Sequence, residues 1–462
     1  MNSSLNKRYK NQDKSINGWG KSKKVKAELI NPKTVQEIKE FIIHSQPKSI
    51  IARGLGRSYG DAAQVNEGKV LSLKNFKEIS PNYNNFEVTA QAGATFEEIL
   101  KIIIPKGFFL PVTPGTKKIT VGGAIAADVH GKNHHHDGSF GKYVKRLELI
   151  NGLGENIILK PFQKNSSKAN EKFWATIGGM GLTGIVIEAT FTIIAIETSY
   201  IKQEITRHQK IEDLMKMMRK VDNKYKYSVA WIDSMHNDFR GVLTCGNHVR
   251  SKEINYLKEE NLLSFNPKKI ISIPDIMPNN LMNKLFIKSF NELWFRKAIA
   301  NSYESLVTFE KFFYPLDAIN NWNNIYGREG FIQYQFVIPE ENESMIKNIL
   351  KRLKDIKALT FLPVLKRLGK GNLGYLSFPM DGWTLSIDLR RNNKKIDNLL
   401  AEFDMEIASI GGRIYLAKDS RQSAIIFHKT YKLIDIWQKQ KNILDPKTKF
   451  SSDIAKRLKI FN

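Results

Sequence analysis

The sequence predicts an α+β fold in two parts, and three observations carry that prediction. The 462 residues call for two domains, or one large domain with an insertion. Up to about residue 195, Gly-rich turns sit between short strands and helices. From about 196 to 410 those turns give way to helices and to aromatic-rich strands of strict period-two alternation.

Composition narrows the class. Hydrophobic residues make up 42% and aromatics 10%, enough for packed cores. No apolar run approaches the ~18 residues that span a bilayer, and Met1 to Arg8 lacks the apolar stretch of a signal peptide. The expectation is a cytoplasmic protein, with peripheral contact at the inner membrane as an option. A single cysteine, Cys245, excludes an intrachain disulfide and a cysteine metal site. The net charge of +26 suits nucleic acid, an anionic membrane or a phosphorylated substrate. The lysines are scattered, with no basic arm or recognition signature, so no nucleic-acid partner is expected.

In chain order, Pro32 to Ile43 reads as a helix with a stripe at Val35, Ile38, Phe41 and Ile42. A strand, Ser49 to Ala52, runs into Arg53-Gly54-Leu55-Gly56-Arg57-Ser58-Tyr59-Gly60-Asp61. Three glycines in seven residues permit positive φ and close approach, so the loop is either an anion nest or an ordinary turn. Short strands follow at Val70 to Leu73 and Phe86 to Ala90. Thr95-Phe96-Glu97-Glu98 is a capping box for a helix that Pro105 and Gly107 end.

A small-residue helix is expected over Gly122 to Ala127, its Gly-Gly start a second candidate anion site. Gly178 to Gly184 forms a third Gly cluster before the strand Ile185 to Phe191. Three such turns within 135 residues favour a large phosphate-bearing cofactor. His134, His135 and His136 cannot all face one metal from a regular element, so no metal is expected. They read as a polar loop over the cofactor edge, while His130 is either functional or a satisfied structural histidine.

In the second part, Gln333 and Gln335 share one strand face, and Ile332, Tyr334 and Phe336 the other. Trp383, Leu385, Ile387 and Leu389 likewise oppose Thr384, Ser386 and Asp388. The apolar faces are expected on helices, the polar faces on a cleft or on solvent. Residues 262 to 300, which include Lys268, Lys269, Ile270, Leu281 and Met282, mix apolar and basic types. That fits a lid, a membrane patch or a core helix with a lysine face. Arg413 to Arg421 returns to a strand-then-polar pattern, and the tail ends in an amphipathic helix with Ile454, Leu458 and Ile460 on one side.

The segments Arg53 to Asp61, Thr113 to His136, Gly178 to Phe191 and Tyr415 to Arg421 resemble FAD-dependent (PCMH-type) oxidases of the vanillyl-alcohol-oxidase family. Tyr314 to Asp317, Gln333 to Phe336 and Ala417 to Arg421 point to the decaprenylphosphoryl-ribose oxidase branch. The likeness implies an FAD domain, 1–195, a substrate domain, 196–410, with an antiparallel sheet over the flavin, and a segment, 411–462, that returns to the FAD domain. It implies FAD contacts at Ala52, Arg53, Gly54, Leu55, Gly56, Arg57, Ser58, Tyr59, Gly60, Asp61 and Ala62. Further contacts are implied at Gly115, Thr120, Val121, Gly122, Gly123, Ala127, Asp128, Val129, His130, Ile185 and Tyr415. Many relatives bind flavin covalently through a histidine between the positions of Gly56 and Ser58. Here that residue is Arg57, so FAD is expected to be non-covalent.

By the same likeness, Tyr59, Trp231, Tyr314, Gln333, Gln335, Lys366, Ser386 and Lys418 would contact substrate. His130 or Lys418 would take the hydroxyl proton. The best-known relatives carry cysteine where Ser386 stands, and serine keeps the size and the hydrogen bond. The implied reaction is oxidation of the C2 hydroxyl of a polyprenyl-phosphoryl-β-D-ribose, the first half of an epimerisation that feeds cell-envelope arabinan. Its implied partners are that lipid-linked sugar phosphate and an NAD(P)H-dependent keto-sugar reductase. An aldonolactone or alditol oxidase, and a basic non-enzymatic binding protein, are the alternatives.

Overall fold

The computed structural model describes residues 12–164, 166–254, 259–267, 271–274, 283–298, 303–358, 360, 362–391 and 393–461. The readings of residues 1 to 8, of Lys268 to Ile270 and of Leu281 and Met282 lie outside them.

A four-stranded sheet opens the chain, ordered Gln12–Ile16, Val25–Ile30, Lys69–Ser72, Ile50–Arg53. Its last three strands run parallel. The crossover helix is Val35–His44, which buries Ile38 and Ile42. It starts three residues later than Pro32 because the Thr34 hydroxyl accepts from the Glu37 amide at 3.2 Å. The outer strand delivers the first Gly-rich loop at its C-terminal end. Its free edge is taken by the tail, where the Ser451 amide donates to Ile50 O at 2.9 Å.

A second, antiparallel sheet has the order Ile79–Asn82, Glu87–Gln91, Ile185–Thr192, Val144–Ile150, Asn156–Leu159. Beside it lie the helix Phe96–Ile103, with the expected capping box at Thr95, and the small-residue helix Val121–Ala126. Gly122 packs closely here. A Cβ on it would stand 3.1 Å from the Ala92 methyl.

The third sheet has eight strands, ordered Tyr303–Thr308, Tyr200–His208, Gly241–His248, Tyr227–Ile232, Val364–Leu368, Gly382–Arg390, Phe331–Ile338, Arg413–Ile414. Every neighbouring pair is antiparallel. The expected two-faced strands behave as their alternation requires. Ile332, Tyr334, Phe336, Trp383, Leu385, Ile387 and Leu389 pack with residues of the helices Ile211–Val221, Ser344–Asp355 and Lys394–Ser409. The opposite face carries Gln333, Gln335, Lys366, Thr384 and Asp388 toward the first two sheets. Arg413 and Ile414 pair with Val337 and Phe336, so the chain closes this sheet before it returns to the first one. Phe427, Tyr431, Trp437, Ile454, Leu458 and Ile460 then share a core with Ile16, Val25, Ile51 and Val70.

Candidate active site

A cavity of about 320 Å³ lies where the Gly-rich loops meet the polar face of the large sheet. The first loop supplies one wall, from Ala52 to Tyr59 with Ala62. Gly56 has φ +64°, a backbone shape that favours glycine. A Cβ on Gly54 would stand 2.2 Å from Thr120 Oγ1, so the loop and the small-residue helix touch through backbone and hydroxyl. Arg53 braces the loop from beneath, donating to Ala63 O at 2.9 Å and Asn17 O at 2.8 Å.

The small-residue helix adds Thr120, Gly122, Gly123 and Ala127, followed by Val129 and His130. The expected anion site at its start does not form from its first amides. Gly122 N donates to Ala92 O at 2.9 Å, and Gly123 N donates to the Thr120 hydroxyl at 3.2 Å. The third Gly cluster grips the other end of this helix, where Gly178 N and Met180 N donate to Ile125 O and Ala126 O, each at 2.9 Å.

A group of polar side chains meets in the cavity. Lys366, Lys418, Gln335 and His130 all line it, with Tyr415 beside them. Burial pushes the Lys366 amine down to about 8. Burial, with Lys366 nearby, pushes Lys418 down to about 7, against the opposing pull of Asp388. The Lys418 Nζ lies 3.8 Å from the Tyr59 ring centroid and donates to Gln333 Oε1. Gln333 Nε2 in turn donates to Asp388 Oδ1 at 2.6 Å.

The tautomer of His130 follows from its neighbours. The Thr384 hydroxyl donates its one proton to Phe336 O at 2.8 Å, so toward Gln335 it accepts. The amide end of Gln335 3.2 Å away is therefore its NH₂. That NH₂ also faces His130 Nε2 at 3.2 Å, so Nε2 accepts and the ring proton sits on Nδ1. Burial, then Lys366, His134 and Lys418, hold His130 well below the usual histidine range. It is neutral, and its basic nitrogen is already engaged.

Several implied contact residues stand off the cavity wall, each for a visible reason. Gly60 is pressed on Asp419, whose carbonyl oxygen would lie 1.7 Å from an added Cβ. Asp61 holds Arg457 through two hydrogen bonds of 2.9 and 2.8 Å. Val121 and Ile185 are core residues, although Gly184 and Val186 beside Ile185 do reach the cavity. Asp128 is buried and accepts from Ser139, Gly141 and Asn372, each at 2.8 Å. Trp231 packs with Val242 and Phe295. Tyr314 is buried with its hydroxyl 2.7 Å from Thr113 Oγ1. Gln333 acts through Lys418, and Ser386 pairs with Gln335 in strand register without lining the cavity. His134 to His136 do not cover the cavity edge. His134 Nδ1 accepts from Gly369 N, and the other two contact Tyr225 O and Asp222 O.

Sequence reasoning missed Trp19, Trp322 and Asp317, all on the wall. Asp317 accepts from the Thr116 hydroxyl at 2.6 Å and from Lys117 N at 2.8 Å, so it shapes the loop that carries Gly115. Its place in the Tyr314 to Asp317 motif was the available signal. The tryptophans had none, because their neighbours in space are far apart in the chain.

The wall fits a large anionic cofactor. Arg57 lines it, lies 3.8 Å over the Trp19 ring, and has a buried Nε without a partner among the described residues. At Gly115 an added Cβ would meet nothing within 4 Å, which leaves that stretch of wall open.

Comparison with known proteins agrees. Residues 27–160 match the family model described as an FAD binding domain. The chain is 35% identical over 456 residues to decaprenylphosphoryl-beta-D-ribose oxidase of Mycolicibacterium smegmatis, which covers 97% of this chain and 98% of that one. The chain belongs to this family of FAD-linked oxidases. An uncharacterized protein of Streptomyces coelicolor is 29% identical over 79% of the chain and 99% of its own length. Family membership makes the protein an FAD-dependent oxidoreductase acting on CH–OH groups, of the two-domain vanillyl-alcohol-oxidase type, and removes the non-enzymatic alternative. D-arabinono-1,4-lactone oxidase of Kluyveromyces lactis is 26% identical, over 35% of the chain and 31% of its own length.

Proposed function

We propose that the protein oxidises the C2 hydroxyl of a polyprenyl-phosphoryl-β-D-ribose to the 2-keto sugar. The observation that carries this reading is the meeting of Lys366, Lys418, Gln335 and His130 in the cavity that the Gly-rich loops line. Bound FAD supplies the hydride acceptor. Residues 52–59 and 62, Gly115, Thr120, Gly122, Gly123, Val129 and Tyr415 would hold it without a covalent bond, since Arg57 has no nucleophilic ring nitrogen. In this reading residues 1–195 and 411–462 form the FAD domain and 196–410 the substrate domain.

The chain's own work is binding and proton removal. Lys366 offers a compact cation to the sugar phosphate. Gln335, fixed by Thr384, orients the sugar. Lys418 accepts the hydroxyl proton as its neutral amine, which its lowered pKa makes accessible near neutrality.

A lipid-linked substrate also suits the helix Lys284–Lys297. Its buried side sets Ile287 on Tyr326 and Phe331, in a cluster with the cavity residues Trp19, Tyr59 and Trp322. Its outer side exposes Leu285 by 75% and Leu293 by 71%, with Phe286 and Trp294 beside them. No helix among the described residues is long and apolar enough to cross a membrane. We assign this outer face to peripheral contact with an anionic bilayer, and the product to an NAD(P)H-dependent keto-sugar reductase.

Anaerobic mixing tests the reading. Polyprenyl-phosphoryl-ribose is expected to bleach the flavin, and free aldonolactones and alditols are not. Bleaching by lactones alone would transfer the assignment to a soluble-sugar oxidase.

A further inference from the structure

Behind the Lys418 amine lies a buried carboxylate that the mechanism does not use. Asp388 is 2% exposed and does not line the cavity. It lies opposite Gln333 in strand register. Its Oδ1 accepts from Gln333 Nε2 at 2.6 Å, and its Oδ2 from the Tyr326 hydroxyl at 3.3 Å. A carboxylate accepts only, so it fixes which end of the Gln333 amide faces it. The carbonyl end must then face the other way, and there it meets the Lys418 amine.

We infer that Asp388 is a positioning residue for Lys418: acting through Gln333, its carboxylate aims the Lys418 amine at the cavity and stabilises the ammonium formed when that amine takes the substrate's hydroxyl proton. This rests on the proposed function. In the transfer the substrate's O–H bond breaks and an N–H bond forms on Lys418, while the C2–H bond gives up its hydride and the C2–O bond becomes a carbonyl; bound FAD would supply the two-electron acceptor.

Other charges around the pair have defined senses. Lys418 is faced by the Tyr59 ring, and Lys366 and His130 lie close to it. Of these only Lys366, itself pushed down to about 8, carries a like charge at neutral pH. Asp388 is faced by Tyr326, Gln333 and Tyr59, all neutral. The carboxylate is thus the counter-charge that a newly formed Lys418 ammonium meets. Burial pushes Asp388 up to about 6, so the charge is present at neutral pH.

The test uses Asp388→Asn holoenzyme. Trace acetylation with acetic anhydride across pH, read by peptide mass spectrometry, reports the titration of Lys418 without turnover. With the counter-charge removed, the half-reaction pH of Lys418 is expected to fall by about one unit. The rising limb of flavin bleaching against pH should move the same way, with kcat down about tenfold and KM little changed. A Lys418 labelling profile that coincides with that of the unaltered protein overturns the inference. Should Asp388→Asn fail to fold, Gln333→Leu decides by the same labelling, because it cuts the link and leaves Asp388 in place. A labelling shift together with no bleaching by the lipid-linked ribose, even in the unaltered protein, would sink the substrate reading and leave the positioning role standing.

Discussion

Gln335 Nε2 lies 3.2 Å from His130 Nε2, and this contact joins the eight-stranded sheet to the segment that follows the small-residue helix. It also bears on the choice of base. A histidine whose basic nitrogen accepts from an amide, buried beside two lysines, is a poor base. Lys418 is therefore the base tested first.

Lys418→Ala should remain yellow and bind FAD, because the cofactor wall is built from other residues. Anaerobic flavin bleaching by substrate should slow by about 10²- to 10⁴-fold. Loss of flavin from the purified variant would show that Lys418 belongs to the cofactor grip instead.

The pH dependence has a definite sign. Lys418 is an ammonium below about 7 and an amine above it. Bleaching should therefore rise with pH through that value, and stopped-flow traces between pH 5.5 and 8.5 would record it.

Gly56→Ala should lower the flavin-to-protein ratio. Its φ of +64° disfavours any side chain, and a Cβ would stand 2.1 Å from Arg53 Nη2. The brace under the loop would have to shift. Acid precipitation of the unaltered protein should release all its flavin, as a non-covalent cofactor requires.

Asp419→Ala should destabilise the fold by roughly 3–5 kcal/mol. Its carboxylate accepts from Arg457 Nη1 at 3.0 Å and from two backbone amides, Arg421 at 2.9 Å and Gln422 at 3.0 Å. Burial pushes Asp419 upward, but Arg457 and those amides outweigh it and hold the group below its usual value. The temperature of flavin release, followed by fluorescence, should drop by several degrees.

Vesicle co-sedimentation tests the outer face of Lys284–Lys297. Binding to vesicles containing phosphatidylglycerol is expected, with little to pure phosphatidylcholine. Leu285→Glu with Leu293→Glu should weaken it several-fold while FAD binding stays intact. Equal binding by this double variant would remove the face from the membrane contact.

Local rules carried much of the fold. The period-two faces of Phe331–Ile338 and Gly382–Arg390, the Thr95 capping box and the three Gly clusters were legible because each depends on residues within a few positions of one another. The likeness of motifs such as Arg53 to Asp61 carried the cofactor class. Tertiary structure alone decided the rest. Asp61 and Asp128 turned from the cofactor to internal partners, Arg457 and Asn372, that lie hundreds of residues away. Trp231 and Tyr314 went to the core, and Trp19 and Trp322 came to the wall. Asp388 read as one more polar position on a strand until its register partner, Gln333, was seen to hand its carbonyl to Lys418. A hydrogen bond between distant segments leaves no period in a sequence. It is set by how sheets stack, and that stacking brought Lys366, Lys418, Gln335 and His130 into one cavity.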